Sequence, residues 1–503
     1  MHKDSLFFIF GGCAMLNISF SCYYLKISRT FGSFKLNIYI TMKKKIFVTA
    51  IAFVASITMY AGGLLTNTNQ NIAFLRNPAR GASMEIDAAY SNPAGLAFLN
   101  RDGFFVSVNN TSAFQTRTIT GDFAPFAGYG GNASKSFEGK ATAWVIPNLQ
   151  AAYKTGDWVV SANIGVVGGG GSLDFSKGLP SFESTVAIVP ALLGMMQPGA
   201  GFGGYSLESQ LTGSSMTIGA QLGVTYSIID NLSAYVGARY NYVNNGYEGY
   251  LRDIKVGMGG NLIPASTLLQ NPDLASLAPF LSEKTLDCKQ TGSCIAPILG
   301  VDFRWENLNV GVKYEFKTAL EIKNETKANT TGVVDYNDAV KTPYDLPALL
   351  TFGAQYDIIS QLTVSAGYHH FFDSGAKMAN DKQKFIDGGI NEFLAGVEYR
   401  INEMFLVSCG AQITQTGVKD DYQTDMSYSL NSFSLGFGGA VNLTSNIRLN
   451  VAYFFTNYSD WTKSTDDYGK INALSQGLVP KTPGKDTFSR TNKTFGIGLD
   501  FTF

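Results

Sequence analysis

The last ten residues, 494–503, restrict the fold of this chain more than any other stretch. Odd positions are apolar (Phe495, Ile497, Leu499, Phe501, Phe503) and even positions are small or polar (Thr494, Gly496, Gly498, Asp500, Thr502). Strict period-two alternation makes a β-strand with one greasy and one polar face. A strand of a soluble sandwich reads this way. So does a strand that closes a transmembrane barrel, where lipid meets one face, the lumen meets the other, and ring closure leaves no edge unpaired. The rest of the chain decides between them.

Alternating segments recur in pairs: 144–154 with 158–167, 216–228 with 232–247, 295–305 with 308–322, 346–356 with 362–372, 393–401 with 404–416, and 433–443 with 447–458. With 104–111 first and 489–503 last, they number fourteen. Turns inside pairs are short and polar, as at Thr155-Gly156-Asp157 and Glu306-Asn307, whereas the links between pairs are long, as at 251–293 and 459–488. A soluble sandwich has no reason to sort its loops this way; an outer-membrane barrel does, and an even strand number puts both chain ends on the short-turn, periplasmic side. The expected fold is all-β: a 14-stranded antiparallel transmembrane β-barrel over 101–503 with long extracellular loops.

Each strand can be assigned a lipid face. Leu308, Val310, Val312, Tyr314 and Phe316 should look outward, with Asn309, Gly311, Lys313, Glu315 and Lys317 inward. On the preceding strand Leu299, Val301, Phe303 and Trp305 face lipid, while Asp302 and Arg304 face in. Arg239, Glu398, Arg400 and Arg448 also fall on polar faces. Charge on the lipid face would cost about 2–4 kcal/mol at the midplane, so this sorting is required. Few charges (15%), many aromatics (13%) and 54 glycines suit a barrel with aromatic girdles, with Trp144, Trp158, Trp305 and Tyr399 placed for the interfacial belts. A net charge of −1 offers no basic surface to nucleic acid.

Residues 42–61, MKKKIFVTAIAFVASITMYA, have the basic head, apolar core and small terminal residue of a signal peptide. Residues 1–41 then read as upstream sequence from a miscalled start, with a membrane helix near residues 6–25 as the competing reading. Residues 62–100 lack strand alternation and carry two triplets, Asn77-Pro78-Ala79 and Asn92-Pro93-Ala94, that break regular structure. A plug inside the barrel and a periplasmic tail both fit. Cys288 and Cys294, close in a polar stretch, suggest a loop disulfide, the alternative being two free thiols. With only His2, His369 and His370, no metal site is expected. The same two histidines, 369 and 370, are the sole candidates for a barrel-embedded hydrolase, and neither has a convincing partner, so no enzyme is expected.

The segment NQNIAFLRNPARGAS…AAYSNPAGLAF resembles the plug, or hatch, of the FadL/OmpP1/TodX family of outer-membrane transporters for hydrophobic compounds, with Asn92, Pro93 and Ala94 as its Asn-Pro-Ala triplet. VIPNLQAAYKTGDWVVSANIGVVGGGGSLDF is similar to that family's second and third strands, and YDLPALLTFGAQYDIISQLTVSAGYHHFF to a later pair. The resemblance covers about residues 62 to 503, and makes 62–100 the plug. It implies that a hydrophobic ligand such as a long-chain fatty acid is captured near the extracellular loops. The ligand then passes a shifting plug and leaves sideways into outer-membrane lipid at a kinked third strand. It also implies a monomer without a cofactor, whose Phe503 end is read by the barrel assembly machinery.

Gly168, Gly169, Gly170 and Gly171 sit where that kink belongs. A run without side chains weakens strand pairing and admits a bulge, though a flexible strand exit would look alike. The stretches 182–202 and 262–281 are unusually apolar for loops; Leu192, Leu193, Met195 and Met196 either line a capture groove or pack the loops together as a lid. Arg239, Arg304, Lys313 and Arg400 could receive a ligand carboxylate, or pair with Asp302, Glu315 and Glu398 in a lumen network. The rival functions are a general diffusion porin and a receptor for another apolar ligand such as haem.

Overall fold

The computed structural model describes Leu64 and residues 68–128, 130–470, 472 and 480–503. The expected extension 1–41 and signal peptide 42–61 lie outside the described residues. Fourteen antiparallel staves form one closed sheet. In chain order they are β1 (Gly103–Phe123), β2 (Ser134–Thr155), β3 (Trp158–Phe175), β4 (Phe202–Ile229), β5 (Leu232–Met258) and β6 (Lys284–Trp305). β7 runs in two pieces (Leu308–Glu315, Glu321–Asn329), as does β8 (Lys341–Pro343, Leu349–Ile359). Then follow β9 (Leu362–Phe371), β10 (Asn391–Arg400), β11 (Phe405–Gln415), β12 (Ser432–Asn442), β13 (Ile447–Tyr458 and Trp461–Thr465) and β14 (Gly484–Thr502). β14 returns to β1, and Phe503 closes the ring by exchanging backbone bonds with Phe104. No described helix is long and apolar enough to cross a membrane; the crossing is made by strands.

Burial follows the alternation. Asn309, Gly311, Lys313 and Glu315 are buried inside β7, while Leu299, Val301, Phe303 and Trp305 of β6 stand exposed on the outer face. Such a band of exposed aliphatic and aromatic side chains is stable only in lipid, so the barrel is of the outer-membrane type.

Three expectations need correction. The link 251–293 is mostly strand: β4 and β5 reach 28 and 27 residues, where about 9–11 suffice to cross a bilayer. Neighbouring strands keep bonding above the membrane, where water on one side and loop packing on the other blur the alternation. The segment 308–322 is not continuous either. β7 breaks after Glu315 opposite Pro297 of β6, which has no N–H to give, although Phe316 N still reaches Pro297 O at 3.0 Å. Cys288 and Cys294 are free thiols on one strand, β6, pairing with Tyr247 and Asn241 of β5. Six residues of strand separate their Cα atoms by about 20 Å, far beyond the roughly 7 Å a disulfide spans.

Above the wall, helices Pro180–Ala187 and Val189–Met196 pack with the segment holding Leu268, Leu277 and Phe280 into one apolar cap. The loops thus bury their greasy faces against each other. Leu192 and Leu193 lie inside this cap, whereas Met195 and Met196 are exposed on top.

Candidate functional site

Residues 68–99 thread the inside of the barrel. Asn71 caps a short helix, Ile72–Arg76, by accepting from Ala73 N at 2.7 Å, and Asn77-Pro78 ends it. Pro93 opens a 3-10 turn, Pro93–Phe98, at a position that needs no donor. Both Asn-Pro-Ala triplets touch the wall. Asn92 is fully buried and donates to Asp302 Oδ2 at 3.0 Å and Val301 O at 3.1 Å. Pro93 O accepts from Thr225 and Ala94 O from Ser233, each at 2.8 Å. The first triplet binds the far side: Asn77 donates to Ser365 of β9 at 3.1 Å, and Asn77 and Pro78 lie on Gly396 and Gly410. Backbone presses so closely that a Cβ at Gly436 would stand 2.1 Å from Leu75 O. Only glycine fits there.

Ion pairs complete the attachment. Arg76 meets Glu398 of β10, and Arg448 of β13 meets Glu85 at 2.8 Å. Arg80 grips Asp87 with two bonds of 2.7 and 2.8 Å. Arg239 holds Glu315 in a two-pronged pair at 2.7 and 3.0 Å, and Lys313 reaches the same carboxylate at 2.7 Å. Both cations face the ring of Tyr90, at 4.8 and 5.0 Å. Of the four cations expected in the lumen, Arg239 and Lys313 are therefore joined to Glu315. Arg304 and Arg400 are not part of it: each sits one residue from a periplasmic turn, exposed, with Arg400 reaching Ser360 O. Alternation gave them the right face but not the right height. His369 turns inward to Glu392 (2.9 Å), and His370 pairs with Asn391 (2.9 Å).

The glycine run is irregular on both sides. Against β4, the register of β3 slips between Val166 and Gly168 and again between Gly169 and Gly171. Against β2, the ladder pairs Ala141 with Leu173 and then resumes only at Asn148 with Gly165. Residues 142–147 and 166–172 thus face one another without a register partner. Gly169 has φ +71°, and a Cβ there would stand 2.1 Å from Ser215 O, so the bulge is built for glycine. On the other bank Pro147 removes a donor, and Trp144 and Val145 are 69% and 71% exposed.

Small cavities lie inside among the described residues. One, about 20 Å³, is lined by Thr68, Tyr90, Arg80, His369 and Glu392. Another, about 40 Å³, is lined by Thr68, Tyr90, Arg239, Glu315 and Val167, the residue next to the glycine run. A third, about 70 Å³ and mostly apolar, lies under the cap between Phe182, Leu211, Leu251, Leu286 and Val333, with Lys284 at its edge. Burial pushes the Lys284 ammonium down.

Sequence reasoning missed Arg76 and Glu85 as partners of the wall, and Pro147 as one bank of the lapse. A proline inside an alternating strand was the available signal for the second. The first had none, because pairs 322 and 363 residues apart carry no local pattern.

The class these features define is a closed outer-membrane β-barrel with polypeptide bound inside its lumen. No protein-family model and no curated protein matches the chain. Solved structures do. A Pseudomonas aeruginosa FadL homologue is similar over 88% of this chain and 100% of its own, at 12% identity and a TM-score of 0.60. The Pseudomonas putida toluene transporter TodX matches over 88% and 99%, at 14% identity and a TM-score of 0.52. A deltaS2 mutant of the TodX monoaromatic hydrocarbon channel matches over 87% and 100%, at 15% and 0.52. The chain has the fold of these FadL-like and TodX-like barrels.

Proposed function

We propose that this protein takes up hydrophobic compounds across the outer membrane, long-chain fatty acids first among them. Ligand is captured beneath the extracellular cap, the N-terminal segment acts as a plug that shifts, and ligand leaves sideways between β2 and β3. The observation that carries this reading is the lapse in pairing between 142–147 and 166–172. Unpaired peptide groups at lipid depth are costly, so a wall that gives up its ladder there needs a reason. Lateral release of an apolar ligand supplies one.

Two further features support the same reading. Thr68 and Tyr90 line both lumen cavities, so one displacement of the plug enlarges both. Val167 stands between the larger of these and the lapse. Residues 68–99 are bonded across the lumen, from Asp302 of β6 to Glu398 of β10, which weighs against a general diffusion porin with an open lumen. The solved neighbours named for toluene and monoaromatic hydrocarbons point to apolar cargo as well.

The test is uptake of labelled oleate, against a hydrophilic sugar, by liposomes carrying the protein. A parallel variant replaces Gly168, Gly169, Gly170 and Gly171 with valine and threonine, with folding checked by heat-modifiable migration. Oleate uptake that fails in the folded variant, with no sugar flux in either, is expected. Sugar flux independent of oleate would make the protein a porin, and full oleate uptake by the variant would remove the lateral exit.

A further inference from the structure

On the extracellular part of the β1–β14 seam, Arg117 and Arg490 are direct cross-strand partners. Both face inward, in step with the buried Ile119 and Phe488 that follow as the next inward pair. Like charges placed opposite each other destabilise a sheet, and burial aggravates it. Among the described residues neither guanidinium has a carboxylate within 4.0 Å. Arg117 Nε donates to Gln115 at 2.9 Å, and Arg490 Nε is buried without a partner. What surrounds the two cations is aromatic: Arg117 lies 5.4 Å from the Tyr428 ring and Arg490 4.6 Å from the Tyr458 ring. The Tyr458 hydroxyl is itself buried with no hydrogen-bond partner. Burial, and then Arg490, push the Arg117 guanidinium down to about 10. Arg490 Nε and the Tyr458 hydroxyl therefore stand buried without a partner, beside a second guanidinium that no carboxylate neutralises.

The other side of the site is greasy. Ile119, Phe175, Leu211 and Phe488 form one buried cluster with the two tyrosines, and Phe182 packs on it. Phe182 and Leu211 also line the cavity of about 70 Å³ under the cap. Apolar surface thus runs from that cavity to the arginine pair. We propose that Arg117, Arg490 and Tyr458 form an oxyanion site that seats the head of an anionic amphiphile while its chain lies on this cluster. The site rests on the carrier reading above and narrows its cargo: a carboxylate-headed chain is preferred over a neutral hydrocarbon of the same length. Arginine forks match carboxylate geometry, and an oxyanion between them turns repulsion into two charge-assisted attachments.

The experiment measures binding of dodecanoate and of dodecanol to the full barrel in nanodiscs, at a pH where dodecanoate is ionised. Inorganic phosphate serves as a chainless competitor. Arg117→Gln and Arg490→Gln should each weaken dodecanoate by about tenfold or more and leave dodecanol within about twofold, since only the charge-assisted bonds are lost. R490K, which keeps the charge without the fork, should fall between. Millimolar phosphate that competes only weakly would show that head and chain bind together; phosphate as strong as dodecanoate would make this a site for free oxyanions and overturn the amphiphile. Unchanged dodecanoate binding in both glutamine variants, or equal loss of dodecanol, overturns the site. Each variant removes one of two facing like charges, so folding is expected to survive and is read from heat-modifiable migration. Failure of all oleate uptake alongside a selective loss of dodecanoate binding would sink the carrier reading and leave the site.

Discussion

Two seams of the same barrel solve opposite problems. Between β1 and β14, nineteen consecutive register partners run from Phe105 with Thr502 to Phe123 with Gly484 without a slip. Between β2 and β3 the ladder holds near the periplasm, lapses over 142–147 and 166–172, and resumes above. The first seam joins the two ends of the chain, and only unbroken pairing can abolish the edges that closure brings together. The second joins strands already linked by a two-residue turn, Gly156-Asp157, so its register survives a local loss. A barrel can open where connectivity holds the strands and cannot where it does not. Side chains follow the same division. The closed seam places Arg117 against Arg490, whereas the lapsed seam carries glycines on one bank and Pro147 on the other.

Hydrogen exchange would break this comparison most directly. Amides of 142–147 and 166–172 that point into the lapse should exchange orders of magnitude faster than those of β1 and β14 at the same height, because protection follows the ladder bond. Mass spectrometry of the barrel in nanodiscs reads both seams in one experiment. Equal protection would mean that the β2–β3 ladder is complete in the membrane and that lateral release has no structural basis.

How much of this was legible depended on range. Strands repeat every two residues, so all fourteen staves could be placed from local alternation, with the lipid faces of β6 and β7 assigned residue by residue. The alternation stopped being informative above the membrane, which is why β4, β5 and β6 run further than their apolar bands. The glycine run announced an irregularity but not its partner, since which residues of β2 lose the ladder depends on the register across the seam. Attachments of the lumen segment were invisible: Arg76 with Glu398 and Glu85 with Arg448 depend on how the ring closes. Height was likewise hidden, and it misplaced Arg304 and Arg400. The thiols of Cys288 and Cys294 were misread for the same reason, as a loop was assumed where β6 continues.

A second prediction asks whether the lapse belongs to the wall or is propped from inside. Asn92→Ala would take from the fully buried Asp302 the hydrogen bond that Asn92 donates, a loss of roughly 1–3 kcal/mol for a buried acceptor. The lumen segment should then be released more often, read as faster thermolysin cleavage within 71–99 and as transient single-channel openings. Asn77→Ala, which gives up contacts with one serine hydroxyl, should do the same more weakly. Exchange at 166–172 that stays unchanged in Asn92→Ala makes the lapse a property of the wall. Exchange that slows would mean that the segment wedges the strands apart.

The smallest effect concerns the loops that follow β9 and β11. Asp373 is buried, with Oδ2 accepting from Ile390 N at 3.0 Å, and burial pushes its carboxyl up to about 7. Lys382 donates to Ser427 O at 2.9 Å beneath the Tyr422 ring, and burial pushes its ammonium down to about 7. The signs oppose. A carboxyl raised in the folded state holds the loops below its unfolded value, about 4, and that contribution is lost as pH rises to about 7. An ammonium lowered in the folded state contributes above its unfolded value, about 10.4, and that contribution is lost as pH falls to about 7. Protection of 372–390 and 416–431 from limited proteolysis should therefore pass through a minimum near neutral pH, with Asp373→Asn flattening the acid limb alone and Lys382→Met the alkaline limb alone. A monotonic profile in the unaltered protein would mean that these two groups are solvated when the loops close. The loops would then be held by their own apolar contacts among Ile386, Val418 and Tyr422, as the cap is by its own.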